Sequence, residues 1–360
     1  MKVAIIHYWL VNMRGGEKVL QALCELFPQA DIYTHVYDPT AVGDAFAGHS
    51  IMTTFIQKLP GARKYYQNYL PLMPLALKQL DLRDYDLVIS SESGPAKGVR
   101  TAAGALHICY CHTPMRYAWD MYDEYRASAS WFKRLMMPPV MHYMRRWDVS
   151  SAAQVDHFVA NSHFIADRIA RCYQRDAEVI YPPVAVDTFG VDPQQEDYYL
   201  FVGQLVAYKR ADLAVDAFNR SGKQLVIIGE GEQLEMLRRK AQHNVRVLGK
   251  QPFEVIRRHY GRCRALIFPG VEDFGIVPVE AMASGRPVIA YRSGGVLETV
   301  KEGVTGLFFK QQTAASLNEV VDAFESRPPF DSQTIIEHAQ TFSADVFTER
   351  FSDLIERMMS

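Results

Sequence analysis

The stretch ALIFPGVEDFGIVPVEAMASGRPVIA, residues 265–290, holds two short apolar runs, at 265–269 and 287–290, with a helical pattern near 277–284 between them. Runs that short, set off by glycine and proline, read as buried strands, and strand, helix, strand in succession is the unit of a parallel sheet. The alternation continues outward from there. Further strands are expected at 198–202, 225–229 and 246–248, with helices near 210–220, 232–242 and 253–261. The first half carries its own set, strands at 3–7, 87–90, 106–111 and 158–161, and a helix with Val19, Leu20, Leu23 and Leu26 on one face. The fold class that follows is α/β, parallel sheets covered by helices, built twice over.

At 360 residues the chain has room for two domains. Ile180-Tyr181-Pro182-Pro183-Val184 is the linker candidate, because a diproline neither continues a helix nor sits in a central strand. The expected division is therefore residues 1–183, residues 184–343 and a terminal amphipathic helix, 344–360. That helix shows Val346, Phe347, Phe351, Leu354 and Ile355 on one face, which must dock on something.

Composition removes several classes of function. Thirty-nine basic against 41 acidic side chains leave a net charge of −2, so no global field draws the chain onto nucleic acid. Five cysteines, an odd number scattered along a long chain, argue against a disulfide framework and for a reducing compartment. Cys109-Tyr110-Cys111 lies in an apolar run without a second cysteine pair and reads as core, not as a zinc site. The opening apolar run is too short for an export signal, and no uncharged run of about 20 residues is present to span a bilayer. Two stretches, 58–80 and 131–147, do mix basic with large apolar residues, a composition suited to lying in a membrane interface.

Several loops carry residues with chemical potential. Glu272 falls in the loop after a strand, Phe274-Gly275-Ile276 offers backbone N–H groups at a helix start, and Glu280 sits about one turn into that helix. Helix-start donors neutralise phosphate or hold sugar hydroxyls, and a carboxylate one turn in accepts two hydrogen bonds from a ribose diol, so the set suits a sugar diphosphate. Arg14-Gly15-Gly16-Glu17 precedes a helix and lets the backbone approach an anion or an acceptor. His112 lands at the carboxyl end of a strand, where α/β proteins place ligands. Gly229-Glu230-Gly231 begins like a dinucleotide fingerprint, but Leu234 stands at the third glycine position, which argues against NAD and for a nucleotide loop of another kind. Asp84-Tyr85-Asp86 has the D-x-D pattern of some metal sites and reads as a capped turn before a strand.

The spacing Glu272-x7-Glu280 resembles the E-x7-E signature of retaining glycosyltransferases of family four, and Gly15-Gly16, His112, residues 203–209 and 229–231 fall in that family's order. The resemblance implies a GT-B fold, two facing Rossmann-like domains, the first binding an acceptor and the second a nucleotide sugar, with the last helix packing back toward the first. It implies that Glu272 contacts the donor sugar near the reacting centre, helped by the backbone of Phe274, Gly275 and Ile276, and that Glu280 binds the ribose. Gly15-Gly16 would lie near the donor phosphates, His112 would touch the donor sugar, and Glu230 and Lys250 would run beside the base and ribose.

In 203–210, Gly203 opens the loop to Lys209, the candidate diphosphate clamp, and Gln204 stands where the family commonly has arginine, which shifts phosphate neutralisation to Lys209 or Arg210. The string C-H-T-P-x-R-Y-x-W from Cys111 to Trp119 is similar to the subset of mannosyltransferases of bacterial surface-polysaccharide assembly. The implied donor is GDP-mannose, the implied acceptor a lipid-linked or oligosaccharide glycan, with no cofactor and no metal. The implied place is the cytoplasm, at the cytoplasmic face of the inner membrane, with peripheral contact to anionic lipid through the N-terminal domain. A UDP-hexose donor and a non-catalytic sugar-nucleotide-binding protein are the alternatives.

Overall fold

The structure is a computed structural model that describes residues 1–128 and 130–360, with the side chains of residues 124, 127, 128 and 132 outside the description. Phe132, within the basic-apolar stretch 131–147, is thus outside it as regards its side chain. The chain forms two compact units, one of Met1–Pro182 with Phe347–Ser360, the other of Pro183–Val346.

The first unit holds β1 (Val3–His7), β2 (Asp31–Thr34), β3 (Ile51–Thr53), β4 (Leu87–Glu92), β5 (Leu106–Cys111), β6 (His157–Ala160) and β7 (Glu178–Val179) in one parallel sheet, ordered β3-β2-β1-β4-β5-β6-β7. The helix Gly15–Leu26 lays Val19, Leu20 and Leu23 on Val3 and Ile5 of the sheet, and the terminal helix Ala344–Met359 adds Phe347, Phe351, Leu354 and Ile355 to the same core. Tyr110 binds these elements together, its ring 5.8 Å from that of Phe347 and its hydroxyl donating to Ile180 O at 2.9 Å. Each fully buried aromatic or leucine side chain contributes roughly 1.5–3 kcal/mol, so the last helix belongs energetically to the first unit.

The second unit repeats the plan with β8 (Tyr199–Val202), β9 (Leu225–Ile228), β10 (Val245–Gly249), β11 (Leu266–Phe268), β12 (Val288–Tyr291) and β13 (Gly306–Phe309), ordered β10-β9-β8-β11-β12-β13, all parallel. Helix Ala211–Ser221 covers one face through Leu213, Ala214, Ala217 and Phe218. In each sheet the first strand lies between the second and the fourth, the order of a doubly wound Rossmann sheet. The loops after the first and fourth strands then leave in opposite directions and open a crevice at their carboxyl ends, which is where such sheets bind ligands. Each unit therefore has its own switch point, β1/β4 in the first and β8/β11 in the second.

The stretches expected to be core or turn are so placed. Cys109 and Cys111 are fully buried in β5, all five cysteines are free, and Asp86 accepts from the backbone N–H of Lys2 in the turn before β4. Among the described residues no helix is long and apolar enough to cross a membrane.

Candidate active site

The second unit's switch point gathers most of the residues picked out in the sequence. After β8 the chain turns at Gly203 and curls into a short helical turn, Ala207–Lys209. That turn lies directly against the chain leaving β11, because a Cβ on Gly270 would stand 2.8 Å from Lys209 Cα and 3.0 Å from two carbonyl oxygens. Only glycine permits this approach. It lays the Lys209 side chain over Gly203 and brings its Nζ into an ion pair with Glu272 Oε1. The Lys209 side chain is 13% exposed and that of Glu272 21%, so the pair is partly open to solvent.

Glu272 is held from behind: its carbonyl accepts from Gly295 N–H at 2.9 Å, where Gly294-Gly295 packs on residues 272–274 too closely for any side chain. Gly275 then opens the helix Ile276–Ala283 with φ +99, a conformation that favours glycine, and as the N-cap residue it brings no side chain of its own to the first amides. Those amides and the positive helix end point an attraction for anions out of the β11 side of the crevice. In the second turn Glu280 Oε2 accepts from the buried Tyr260 hydroxyl at 2.8 Å. Burial, and secondly the Glu280 charge, push the Tyr260 pKa well above its usual value, so the phenol stays a donor.

The remaining predicted residues of this unit flank that centre. Gly229 packs on the carbonyl of Gly203, too close for a Cβ. Glu230 pairs with Lys250 at 3.3 Å on the surface. Arg210 sits in the left-handed region at φ 56 and turns its guanidinium onto Asp212 at 3.2 and 3.3 Å, so of the two cations considered for a diphosphate it is Lys209 that reaches Glu272.

The first unit's switch point brings together Gly16 and His112. Gly15 and Gly16 open the helix Gly15–Leu26, whose Glu17 reaches back to accept from Arg14 N–H at 2.9 Å. A Cβ on Gly16 would run into the Tyr8 hydroxyl and lie 3.6 Å from His112 Nε2. His112 is fixed at three points: its N–H donates to Glu92 O at 2.8 Å, its carbonyl accepts from Asn161 at 3.0 Å, and Nε2 bonds Ser91 Oγ at 2.8 Å. Burial, with the nearby His7 second, lowers its pKa to about 3, so the ring is neutral.

The string after His112 is pinned by buried ions. Arg168 donates to Thr113 Oγ1 at 2.7 Å and pairs with Asp120 at 2.5 Å, and the Trp119 indole donates to Asp148 at 2.8 Å. Asp148 pairs with the fully buried Lys97, which also bonds Glu92 at 3.1 Å. Burial opposes the Lys97 charge, but Asp148 and Glu92 more than offset it and hold its pKa above the usual lysine value.

Some functional candidates escaped the sequence reading. Ser293-Gly294-Gly295 follows a strand and precedes a short helix, a signal that was available. The polar ending Ser90-Ser91-Glu92 on an apolar strand was another. Tyr260 gave none, since its bond to Glu280 joins two separate helices.

Two family models match the chain, Glycosyltransferase Family 4 over residues 13–188 and Glycosyl transferases group 1 over residues 189–341. Among similar curated proteins is the GDP-mannose-dependent alpha-(1-6)-phosphatidylinositol monomannoside mannosyltransferase of Mycolicibacterium smegmatis, 32% identical over 48% of this chain and 52% of that protein. The O-antigen chain mannosyltransferase RfbU of Salmonella typhimurium is 28% identical over 39% of this chain and 43% of its own. The chain spans about half the length of the curated relatives it matches. A crystal structure of Anabaena HepE in complex with UDP superposes with a TM-score of 0.74 at 16% identity, covering 99% of this chain and 100% of that one. With residues 13–341 under the two models and the doubled Rossmann order in the sheets, the chain belongs to the glycosyltransferases of group 1 and family 4, on a GT-B fold.

Proposed function

We propose that the chain is a retaining hexosyltransferase that moves mannose from GDP-mannose onto a lipid-linked or oligosaccharide acceptor in bacterial surface-polysaccharide assembly. The observation that carries this reading is the meeting of Lys209 and Glu272 at the second unit's switch point, beside a helix start opened by Gly275 and one turn before Glu280. In the resting protein the ammonium and the carboxylate neutralise each other. A nucleotide sugar gives each a better partner, the diphosphate for Lys209 and the sugar hydroxyls for Glu272, while Glu280, oriented by Tyr260, takes the ribose diol.

As the glycosidic bond lengthens, negative charge collects on the leaving phosphate, where Lys209 and the amides at Gly275-Ile276 stabilise it, so the reading assigns that task to the chain itself and not to a metal. His112 is assigned to a hydroxyl of the sugar. The donor phosphate oxygen takes the acceptor's proton on the same face from which the phosphate departs, giving retention of configuration without a dedicated base.

Mannose and GDP rest on the C-H-T-P-x-R-Y-x-W string and on the two mannosyltransferase relatives. A UDP-hexose donor is the second reading, favoured by the UDP held in Anabaena HepE. Peripheral attachment to anionic lipid belongs to the proposal as well. Tyr65, Leu72, Leu75, Trp131, Leu135 and Met136 are exposed, Trp131 by 79%, and Lys58, Arg63, Lys64, Lys133 and Arg134 lie exposed among them. Lys133 bonds Asn68 at 3.3 Å, so the two basic-apolar stretches form one surface.

A thermal-shift screen of GDP-, UDP-, ADP- and CMP-sugars tests the donor, with GDP-mannose expected to raise the melting temperature most. Retention is then read from the anomeric configuration of the product by NMR. No shift with any nucleotide sugar would overturn the reading.

A further inference from the structure

His112 is the end of a buried chain of polar groups. His7 and Ser91 face each other across the β1/β4 pairing, and His7 Nδ1 lies 3.0 Å from Ser91 Oγ, which in turn lies 2.8 Å from His112 Nε2. At the far end His7 Nε2 lies 3.9 Å from Glu17 Oε1 and has no hydrogen-bond partner among the described residues. His7 and Ser91 are fully buried and Glu17 is 2% exposed, so the chain lies away from bulk solvent.

Proton counting leaves two arrangements when both rings are neutral. A serine hydroxyl has one hydrogen, so it donates to one imidazole and accepts from the other. In the first arrangement Ser91 donates to His7 Nδ1, His7 carries its proton on Nε2 facing Glu17, and His112 donates Nε2–H to Ser91. In the second every bond is reversed, and a bare nitrogen lone pair on His7 faces a carboxylate in a buried site. The first turns the positive end of an N–H toward the carboxylate and the second sets two electron-rich groups against each other, so the Glu17 charge selects the first.

We infer that Glu17, His7 and Ser91 are positioning residues that fix His112 as the Nε2–H tautomer and present its Nδ1 as a hydrogen-bond acceptor, for a hydroxyl group of the sugar. The last clause rests on the proposed function; the tautomer does not.

Glu17→Gln is the discriminating variant. The amide keeps the shape and the carbonyl that caps Arg14 N–H, but it offers His7 Nε2 an N–H, which favours the reversed chain. Long-range proton–nitrogen NMR of the ligand-free protein labelled with 15N-histidine, under mildly alkaline conditions and with His112→Gln to assign the signal, reads the tautomer directly. Expected are Nε2–H in the wild type, a shift toward Nδ1–H in Glu17→Gln, and no further effect of Glu17→Gln once Ser91→Ala has cut the chain. Ser91→Thr, which keeps the hydroxyl, should restore the wild-type signal. A wild-type His112 protonated on Nδ1, or a Glu17→Gln protein with an unchanged signal, would overturn the inference. With GDP-mannose as donor, kcat of Glu17→Gln should fall about tenfold with little change in KM, the loss of roughly one hydrogen bond in the transition state. A tautomer that shifts as expected with kcat unchanged would uphold the relay and overturn only the sugar-contact role of His112.

Discussion

At the carboxyl ends of β8, β9, β10 and β11 the side chains that carry chemistry are ions with some access to solvent, Lys209 with Glu272 and Lys250 with Glu230. At the same ends of β1, β4 and β5 they lie largely inside the protein, either hydrogen-bonded to one another, as His7, Ser91 and His112, or, as Glu92, locked in a cluster with Lys97 and Asp148. The difference follows from what each kind of pair can do. The exposed Lys250–Glu230 pair holds its partners weakly, and the Lys209–Glu272 pair, though mostly covered, keeps some access to solvent, which suits a site that takes up and releases an anion. A buried ion cannot lose its partner without a penalty of several kcal/mol, so the first unit's cluster serves to keep a loop in one shape.

Acid should separate the two regions most sharply. His35, bonded to Thr54 and Pro95, and His107, bonded to Ser90 and Gln154, have pKa values lowered to about 4, chiefly by burial, as His112 is lowered to about 3. All three lie in the first unit. Their native forms refuse a proton that the unfolded chain accepts below its ordinary histidine pKa of 6.5. Stability is therefore full above that value and falls as pH drops toward 4, by up to about 1.4 kcal/mol per pH unit for each group. Melting curves recorded from neutral to acid pH should show this slope, and His35→Gln or His107→Gln should flatten it; an unchanged slope would contradict neutral burial.

Lys97→Ala comes next. It strands Glu92 and Asp148 in the core and should cost about 3–5 kcal/mol in denaturant unfolding, whereas Lys250→Ala, at an exposed pair, should cost less than about 1 kcal/mol. Equal costs would erase the contrast. Lys209→Ala should leave the fold in place and lower turnover roughly 10²- to 10³-fold, as loss of one preorganised transition-state contact does. A variant with full turnover would remove Lys209 from the leaving group.

The doubled α/β plan was legible because its central strands are continuous apolar runs: 3–7 and 106–111 form β1 and β5 with the expected bounds. β2, β3, β7 and β13 were not read. Asp31–Thr34 opens on a charge, Ile51–Thr53 is an edge strand without a buried residue, Glu178–Val179 is two residues long, and Gly306–Phe309 begins with glycine. Short strands at or near the edges carry little of the pattern that sets a strand apart, and the sheet recruits them through hydrogen bonding.

Site residues were visible where they share one loop and helix, as Glu272 and Glu280 do. Contacts that depend on backbone approach were not: the meeting of Lys209 with Glu272 needs the missing Cβ of Gly270, and the relay from Glu17 to His112 needs the register that sets His7 opposite Ser91.

The decisive measurement is isothermal calorimetry of GDP-mannose binding to the wild type, Glu280→Ala and Tyr260→Phe. If the β11 loop and its helix grip the nucleotide sugar, Glu280→Ala weakens binding by roughly 1.5–3 kcal/mol, the worth of a charged acceptor, and Tyr260→Phe by about 1 kcal/mol through the lost orientation of that carboxylate. Wild-type affinity in both variants would contradict it.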